Sequence, residues 1–328
     1  MDALGNAALR AQLTYRRERL KEAIPEARDS VQLVHLLREV ESALKRMDGG
    51  SYGICEVCND PIEEEHLRAD PLVRICLAHL SEEQQHAIER DLQLASLIQG
   101  QLLPTQHARV DGWELCYHYE PLGVVSGDYC DLVKPEKEGG DTFFLFGDVS
   151  GKGVAASLLM SQLHAIFRSL IAADLPLTRL VERANRLFSE STASTHFATL
   201  VCGRATRTGE VEVCNAGHCP PIVARRGVVT SLESTGLPIG MFYSGEYEVS
   251  ATTLEKGDSL VLYTDGLTET RNALNQEYGE ERLAALIGRN QSLSSHDLIN
   301  TCLQDLSAFR GATPKMDDLT IMVLKRVE

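Results

Sequence analysis

The sequence predicts an α+β protein of two regions, a helical N-terminal region that bears cysteines and a larger region that mixes strands with helices. Before position 103, apolar residues recur at helical spacing around a short, turn-rich segment with three cysteines. From Trp113 onward, β-rich runs appear that do not alternate strictly with helical stretches, which argues against a doubly wound parallel sheet. At 328 residues the chain is long enough for two domains.

The composition excludes some functional classes. The chain has 43% hydrophobic and 24% charged residues, as an ordinary globular protein does. Its formal net charge of −15 argues against general nucleic-acid binding, which favours basic surfaces. No run approaches the roughly 18 apolar residues of a membrane span, and residues 1–13 lack the basic-then-apolar order of a secretion signal. We therefore expect a cytoplasmic protein with no membrane partner.

Residues 1–50 are predicted to form a helical hairpin. Leucines recur among charged residues as far as Ile24, and Pro25 then interrupts the pattern. Either Asp29 or Ser30 can cap a second helix, whose apolar residues repeat until an Asp-Gly-Gly sequence ends it.

Residues 81–103 are predicted to form a linker helix. One possible seam follows a 4-3-4-3 spacing, the heptad rhythm of a coiled coil, for barely two heptads. Its positions are Ile88, Leu92, Ala95, Gln99 and Leu102. Two interpretations stay open: a homodimer through residues 81–103, or a helix that packs on its own domain.

Residues 51–80 carry the ligand spacing of a structural zinc site. Cys55 and Cys58 form one pair, and after seventeen residues Cys76 and His79 form a second. Two such pairs on tight turns suit tetrahedral zinc, and no ligand position is obviously left for water. Because a unit of about 30 residues is too small to hold a core, we expect one structural Zn²⁺ to supply much of its folding free energy.

The residues around this site resemble the DksA/TraR zinc-finger family. The resemblance covers about residues 30–80 and rests on Ala43–Met47, Gly50–Cys58, Pro61-Ile62, Leu67, Ala69 and Pro71. His79 stands where that family commonly has a fourth cysteine, and zinc accepts either ligand. Members with a full coiled coil enter the RNA polymerase secondary channel and act through acidic residues at the coil tip. Here the hairpin is short, with Glu26 and Asp29 near its bend.

Acidic residues lie in turn settings at the ends of predicted strands in the larger region. They stand in Gly127-Asp128, in Gly147–Gly153 with Asp148, in Tyr263–Gly266 with Asp265, and in Asp317-Asp318. Each Asp-Gly pair alone is usually a plain turn. Together, strand ends of this kind can direct several carboxylates into one cleft, and such hard oxygen ligands suit Mg²⁺ or Mn²⁺.

Eight ordered motifs resemble the PPM family of metal-dependent phosphatases, in its bacterial SpoIIE/RsbU-type branch. The lead-in helix Ala95–Pro104 is similar to that branch as well. The motifs are Tyr119–Pro121, Gly127–Tyr129, Asp148–Gly153, Phe197–Leu200, Asn215–Pro221, Gly236–Gly240, Tyr263–Glu269 and Asp317–Thr320. The resemblance covers about residues 84–328, and we place the phosphatase domain at 104–328.

That resemblance implies a PPM-type α-β-β-α sandwich with a two-metal site at one edge. The implied cofactors are two Mn²⁺ or Mg²⁺ ions. Carried over by position, the ligands are Asp148 between both ions, Asp128 and the Val149 carbonyl on one ion, and Asp265 and Asp317 on the other. Asp317 is preferred to Asp318 because the family's ligand is the first residue of this pair.

The chemistry follows from charge, because two cations neutralise a dianionic phosphate and activate a water for in-line attack. In the eukaryotic branch, a histidine two residues after the bridging aspartate is proposed as general acid; here that position is Ser150. Lys152 is expected to contact the phosphate. His218 is either an acid or, as we favour, a structural residue that closes a turn begun by Asn215.

The sequence thus predicts a metal-dependent serine/threonine phosphatase, regulated by its N-terminal module. By resemblance, its partner is a phosphorylated regulatory protein, an anti-sigma-factor antagonist. The alternative is a regulatory binding protein whose zinc finger docks on RNA polymerase or another partner and whose phosphatase domain is degenerate. Carboxylates are intact at every implied metal position, which favours the enzyme.

Overall fold

The computed structural model describes residues 3–26, 31–134, 140–173, 175–193 and 195–328. The chain divides into two compact units, Met1–Arg90 and Asp91–Glu328. The expected helix-capping residues Asp29 and Ser30 lie outside the described residues. The domain limits drawn from the sequence, at residues 50, 80 and 103, stay predictions.

The first unit contains the expected helical hairpin and a small cysteine-bearing module. Its helices and 3-10 turns are α1 (Ala3–Ala23), Ile24–Glu26, α2 (Val31–Asp48), α3 (Glu64–Ala69) and Leu77–His79. Leu13 and Val40 are fully buried in the core that α1 and α2 share. Gly50, at φ +72°, ends α2 in a left-handed turn, in which the Ser51 N–H donates to the Arg46 carbonyl.

Antiparallel sheets and covering helices make up the second unit. Its helices are α5 (Gly153–Ile171), α6 (Leu177–Ser191), α7 (Asp265–Thr268), α8 (Glu280–Arg289) and α9 (Ser295–Arg310), and α4 (Glu82–Leu102) begins before the limit at residue 90 and ends after it. The strands are β1 (His107–Val110), β2 (Trp113–Glu120), β3 (Tyr129–Val133), β4 (Thr142–Val149), β5 (Ala198–Ala205), β6 (Glu210–Ala216), β7 (Ile222–Arg225), β8 (Val228–Ser231), β9 (Ser250–Thr253), β10 (Ser259–Tyr263) and β11 (Leu319–Arg326). Within the described residues they form a six-stranded sheet, β1-β2-β11-β10-β7-β8, and a five-stranded sheet, β3-β4-β5-β6-β9.

Alternation along the strands creates one core between the sheets and one on each outer face. On β4, Phe144 and Phe146 face the other sheet, and Leu145 faces the helices. On β11, Met322 lies in the inner core and Ile321 in an outer one. Helices α5 and α6 cover the five-stranded sheet, while α8 and α9 cover the six-stranded sheet. The layers are therefore helix, sheet, sheet, helix, as the sequence resemblance implied.

Helix α5 bears on the expectation that the chain contains no membrane span. By length and composition, it is the one helix among the described residues that is apolar enough to cross a membrane. Here it is a covering helix: Met160, Leu163 and Phe167 are fully buried in the core on the five-stranded sheet, whereas Arg168 is partly exposed.

Helix α4 corrects the expected seam. Gln99 is buried, and its side-chain amide donates to the Ser126 carbonyl at 2.7 Å and accepts from the Ser126 N–H at 3.1 Å. Leu102 packs against the core beneath α5 and α6. These two residues thus pack on their own domain, because a buried amide needs the partners that Ser126 supplies. A homodimer through residues 81–103 stays a prediction, and the exposed large apolar residues of α4 are Ile88, Leu94, Leu97 and Ile98.

Candidate metal centre

The four aspartates that the sequence singled out come from the same edge of both sheets. Asp128 directly precedes β3, and Asp148 lies near the end of its partner β4. Asp265 begins α7 just after β10, and Asp317 lies just before its partner β11. Because the paired strands are antiparallel, the start of one strand lies beside the end of its partner. This pairing brings Asp128 near Asp148 in one sheet and Asp265 near Asp317 in the other.

Asp128 is firmly held. It is buried, and its Oδ2 atom accepts hydrogen bonds from the hydroxyls of Thr264, at 3.2 Å, and Thr320. Both threonines belong to the edge of the six-stranded sheet, so these bonds join the two sheets at the candidate site. The Asp128 N–H donates to the Ser126 hydroxyl at 3.0 Å.

Asp318 holds a loop instead of offering free oxygens. Its Oδ1 atom accepts from the Leu122 N–H at 2.6 Å, and its Oδ2 atom accepts from the Ser126 hydroxyl at 2.6 Å and the Gly127 N–H at 3.2 Å. Both oxygens thus fix the loop before β3. The side chain of Asp317, by contrast, is 44% exposed, which supports the preference for Asp317 as the ligand.

Gly127 allows this loop to approach β4. A Cβ atom there would lie 2.9 Å from the Val149 carbonyl oxygen and 3.1 Å from the Asp148 Oδ1 atom. The Val149 N–H donates to the Gly127 carbonyl at 3.3 Å. The Val149 carbonyl, which the resemblance assigned to a metal, therefore lies against the backbone that leads into Asp128.

Burial and mutual repulsion raise the pKa values of Asp128, Asp148 and Asp265. The pKa of Asp128 is raised well above its usual value by burial and then by Asp148. Burial also raises the pKa of Asp148 to about 7, and Asp265 and Asp317 add to the effect. The pKa of Asp265 is raised by burial and then by Asp317, and Lys152 acts against this rise. Carboxyls that repel one another in this way are stabilised by a cation placed among them.

The donor atoms fit hard divalent cations. Carboxylate and carbonyl oxygens are the ligands that Mg²⁺ and Mn²⁺ prefer. Within the part of the chain that the structure describes, only the cysteine-bearing module brings three or more potential ligand atoms within 4.8 Å of one another.

Side chains in the loop between β4 and α5 are already engaged. The Ser150 N–H donates to the Phe197 carbonyl at 2.8 Å, and the Ser150 hydroxyl accepts from the Phe197 N–H at 2.9 Å. The Lys152 Nζ atom donates to the Met316 carbonyl at 2.9 Å and to the Asp317 Oδ2 atom at 3.0 Å. Lys152 was expected to contact a phosphate. Here it donates a hydrogen bond to Asp317, a carboxylate that the resemblance assigns to a metal.

His218 has the surroundings of a structural residue. The Asn215 side chain accepts from the His218 N–H at 2.8 Å and donates to the His218 carbonyl at 3.1 Å. The His218 Nδ1 atom lies 2.8 Å from the Thr199 hydroxyl, and the ring packs edge-on against Phe146. Burial lowers the pKa of His218 to about 4, so this imidazole is neutral near pH 7.

The cysteine-bearing module assembles the four expected zinc ligands. The ligand atoms of Cys55, Cys58, Cys76 and His79 all lie within 4.8 Å of one another. The Cys76 sulfur lies 3.8 Å from the Cys58 sulfur and 3.1 Å from the His79 Nδ1 atom. Burial opposes ionisation of Cys55, but the backbone N–H groups of Cys58, Cys76 and Val57 outweigh it and lower the pKa of this thiol to about 6. The lowered pKa favours the thiolate that zinc binds.

The residues that hold the aspartates in place were not predicted from the sequence. Thr264 and Thr320 lay inside quoted motifs, each within three residues of an expected ligand, and that proximity was an available signal. Ser126 gave no signal of its own, because its role depends on Asp318 and Gln99, both distant in the sequence.

Comparisons with known proteins identify both parts of the chain. The family model described as Stage II sporulation protein E (SpoIIE) matches residues 138–327, and the prokaryotic dksA/traR C4-type zinc finger model matches residues 50–78. Protein IcfG from Synechocystis sp. is 25% identical over 279 residues, which are 75% of this chain and 43% of that protein. Phosphoserine phosphatase RsbU from Bacillus subtilis is 26% identical over 245 residues, which are 74% of this chain and 72% of RsbU. The chain thus spans less than half the length of IcfG.

Among solved structures, the SiaA-PP2C domain of Pseudomonas aeruginosa matches with a TM-score of 0.64 at 20% identity, over 74% of this chain and 98% of that one. At this identity the match shows a shared fold. The layers are those of the PPM-type phosphatase fold, and this unit follows a DksA/TraR-type zinc finger in the chain. The chain belongs to the SpoIIE family.

Proposed function

We propose that this protein is a metal-dependent phosphatase that removes phosphate from phosphoserine or phosphothreonine on a regulatory partner protein. The observation that carries the proposal is the set of four aspartates that two sheets present at one edge, with raised pKa values for Asp128, Asp148 and Asp265. Because every position keeps its carboxylate, the alternative of a degenerate domain that only docks on RNA polymerase or another partner is disfavoured.

The proposed site would hold two Mn²⁺ or Mg²⁺ ions. We assign Asp148 to both ions, Asp128 and the Val149 carbonyl to one, and Asp265 and Asp317 to the other. When bound, the ions supply charge neutralisation for the phosphate and an activated water for in-line attack.

Residues of the chain position the proposed metal ligands. The surroundings of Ser150 and His218 make both unsuitable as the general acid. Thr264 and Thr320 occupy the Oδ2 atom of Asp128, which leaves its Oδ1 atom available. Ser150 is tied to Phe197, and neutral His218, with a pKa of about 4, has little acidic form near pH 7. We therefore propose that no side chain acts as general acid and that the leaving oxygen takes its proton from water.

The substrate class and location are finer parts of the proposal. RsbU is described as a phosphoserine phosphatase, which supports phosphoserine as the substrate group. The resemblance to the RsbU-type branch supports an anti-sigma-factor antagonist as the partner. The cytoplasm is the proposed location, because α5 packs in the core of its unit. The zinc finger is proposed as the regulatory module.

The activity is tested with purified protein, Mn²⁺, p-nitrophenyl phosphate and a phosphoserine peptide. The wild type is expected to hydrolyse both, and Asp148→Asn or Asp265→Asn is expected to lower kcat by about 100-fold or more, since each change weakens a metal ligand. Asp141→Asn is the matched control, because Asp141 pairs with Arg204 on the surface and contacts none of the four aspartates. Turnover near the wild-type rate in either ligand variant at saturating Mn²⁺ would refute the assignment.

A further inference from the structure

Lys152 joins two segments of the candidate metal centre. It lies between Gly151 and Gly153, whose φ angles of +101° and +70° favour glycine, so the loop holds a turn that places Lys152 at the start of α5. Its ammonium group donates to the Met316 carbonyl and to Asp317. The side chain thus connects the loop after β4 with the segment before β11.

The two oxygens of Asp317 both have partners. The Oδ2 atom binds Lys152 at 3.0 Å, and the Oδ1 atom accepts from the Asp318 N–H at 2.9 Å. The side chains of Lys152 and Asp317 are 57% and 44% exposed, so solvent screens this ion pair and makes it easy to open. The bonds that hold buried Asp128 lack this screening.

Among the four aspartates, and within the described residues, Asp317 is the one that forms an ion pair with a basic side chain. This ion pair places the positive charge of Lys152 beside Asp317. A divalent cation that binds Asp265 and Asp317 must therefore compete with the ammonium group of Lys152 for Asp317. A cation that binds Asp128 and Asp148 has no such competitor among the described ion pairs.

We propose that Lys152 is an internal counter-ion of Asp317 that competes with the divalent cation for this carboxylate. The inference rests on the metal site of the proposed function. Without the cation, Lys152 holds Asp317 in position and reduces its repulsion with Asp265. When the cation binds, the ammonium group leaves the Oδ2 atom or shares it, so the Asp265–Asp317 side binds its cation more weakly than the Asp128–Asp148 side.

Mn²⁺ binding to the full-length, zinc-containing protein tests this competition by isothermal titration calorimetry. Lys152→Gln is expected to bind the more weakly held of the two Mn²⁺ ions about three- to tenfold more tightly than the wild type does. This is the change in affinity expected when a solvent-screened charge interaction is lost. Lys152→Arg keeps the charge and is expected to keep the weak binding. Lys315→Gln is the matched control, because Lys315 lies two residues from Asp317 but pairs with Glu120.

The melting temperature provides a second measurement, which does not depend on the activity of the metal-bound enzyme. Without added Mn²⁺, Lys152→Gln is expected to melt below the wild type, because Asp317 loses its counter-ion, and saturating Mn²⁺ is expected to remove the difference. Equal Mn²⁺ affinity in Lys152→Gln and the wild type, with only a raised KM for the phosphoserine peptide, would overturn the counter-ion role and leave the proposed function intact. Failure of all four proteins to bind Mn²⁺ would overturn the metal site and this inference with it.

Discussion

His218 shows how burial sets the chemistry of one residue beside the candidate site. It lies in an apolar setting against Phe146, and Asn215 bonds both of its backbone groups. This environment stabilises the neutral imidazole and lowers its pKa to about 4. A residue held in this way supports the turn after β6, and its neutral imidazole is a poor acid near pH 7.

His218 is predicted to make the protein sensitive to acid. Its pKa is lowered in the folded state from an ordinary value of 6.5, so between about pH 6.5 and 4 the unfolded state binds more protons, and stability is lost as pH falls through this window. Thermal melts of the wild type and His218→Asn from pH 7.5 to 5 check this. The stability advantage of the wild type is expected to shrink as pH falls, and an advantage that stays constant or grows would contradict a neutral, buried His218.

Activity measurements separate the structural role of His218 from an acid role. A general acid matters more for a serine oxygen, which is a poor leaving group, than for p-nitrophenolate. His218→Asn is therefore expected to change kcat for a phosphoserine peptide and for p-nitrophenyl phosphate by the same factor. A selective loss on the peptide would restore the acid interpretation.

At the scale of elements, α4 supports the loop that carries Asp128 through one buried side chain. Gln99 satisfies both backbone groups of Ser126, and the Ser126 hydroxyl donates to Asp318 and accepts from the Asp128 N–H. The helix, the loop and the start of β11 are thus joined by a continuous set of hydrogen bonds at the metal centre.

Replacement of Gln99 is predicted to disturb both stability and metal binding. Gln99→Ala leaves the buried N–H and carbonyl of Ser126 without partners, which costs about 1–3 kcal/mol in the free energy of unfolding. The loosened loop is expected to raise the Mn²⁺ concentration for half-maximal activity. Chemical denaturation and Mn²⁺ titration of activity measure the two effects. Gln101→Ala, at an exposed position of the same helix, is the control, and identical behaviour of the two variants would show that α4 does not support the loop.

At the scale of the whole molecule, two kinds of candidate metal ligand lie in separate units. The Cys/His group lies in Met1–Arg90 and the aspartates lie in Asp91–Glu328, each with a hydrophobic core of its own. Soft thiolates select zinc and hard carboxylates select Mg²⁺ or Mn²⁺, so each set of ligands discriminates against the other ion.

Zinc is therefore predicted to be dispensable for catalysis but not for the N-terminal unit. The wild type is expected to contain about one zinc per chain, and Cys55→Ser combined with Cys58→Ser is expected to lose it while Mn²⁺-dependent hydrolysis of p-nitrophenyl phosphate persists. Elemental analysis and the phosphatase assay check both parts. Cys219→Ser, which changes a cysteine outside the module, is expected to keep its zinc. Loss of hydrolysis in proportion to zinc would mean that the metals are wrongly assigned.

Much of the fold and of the candidate sites was predicted from local residue spacing and from the order of motifs along the chain. The Cys55–His79 spacing, the helical periodicities and the β-rich runs were visible because each depends on residues close together in the chain. Strands β1, β3, β7, β8 and β9 were not predicted, because four or five residues are too few to show a period, and β8 and β9 are also largely exposed. The metal roles of Asp128, Asp148, Asp265 and Asp317 stay a prediction that rests on resemblance.

The sequence by itself determined the class of protein, the zinc-ligand spacing and the candidate aspartates. Only the tertiary structure decided what holds those aspartates, because the partners are far apart in the chain. Asp318 binds a loop that begins almost 200 residues earlier, and Lys152 reaches Asp317 across 165 residues. Gln99, expected in the seam, instead bonds to Ser126. A buried amide requires hydrogen-bond partners, and the packing of α4 on its own domain supplies them. Such contacts arise where two sheets meet, and no local pattern in the chain encodes that meeting.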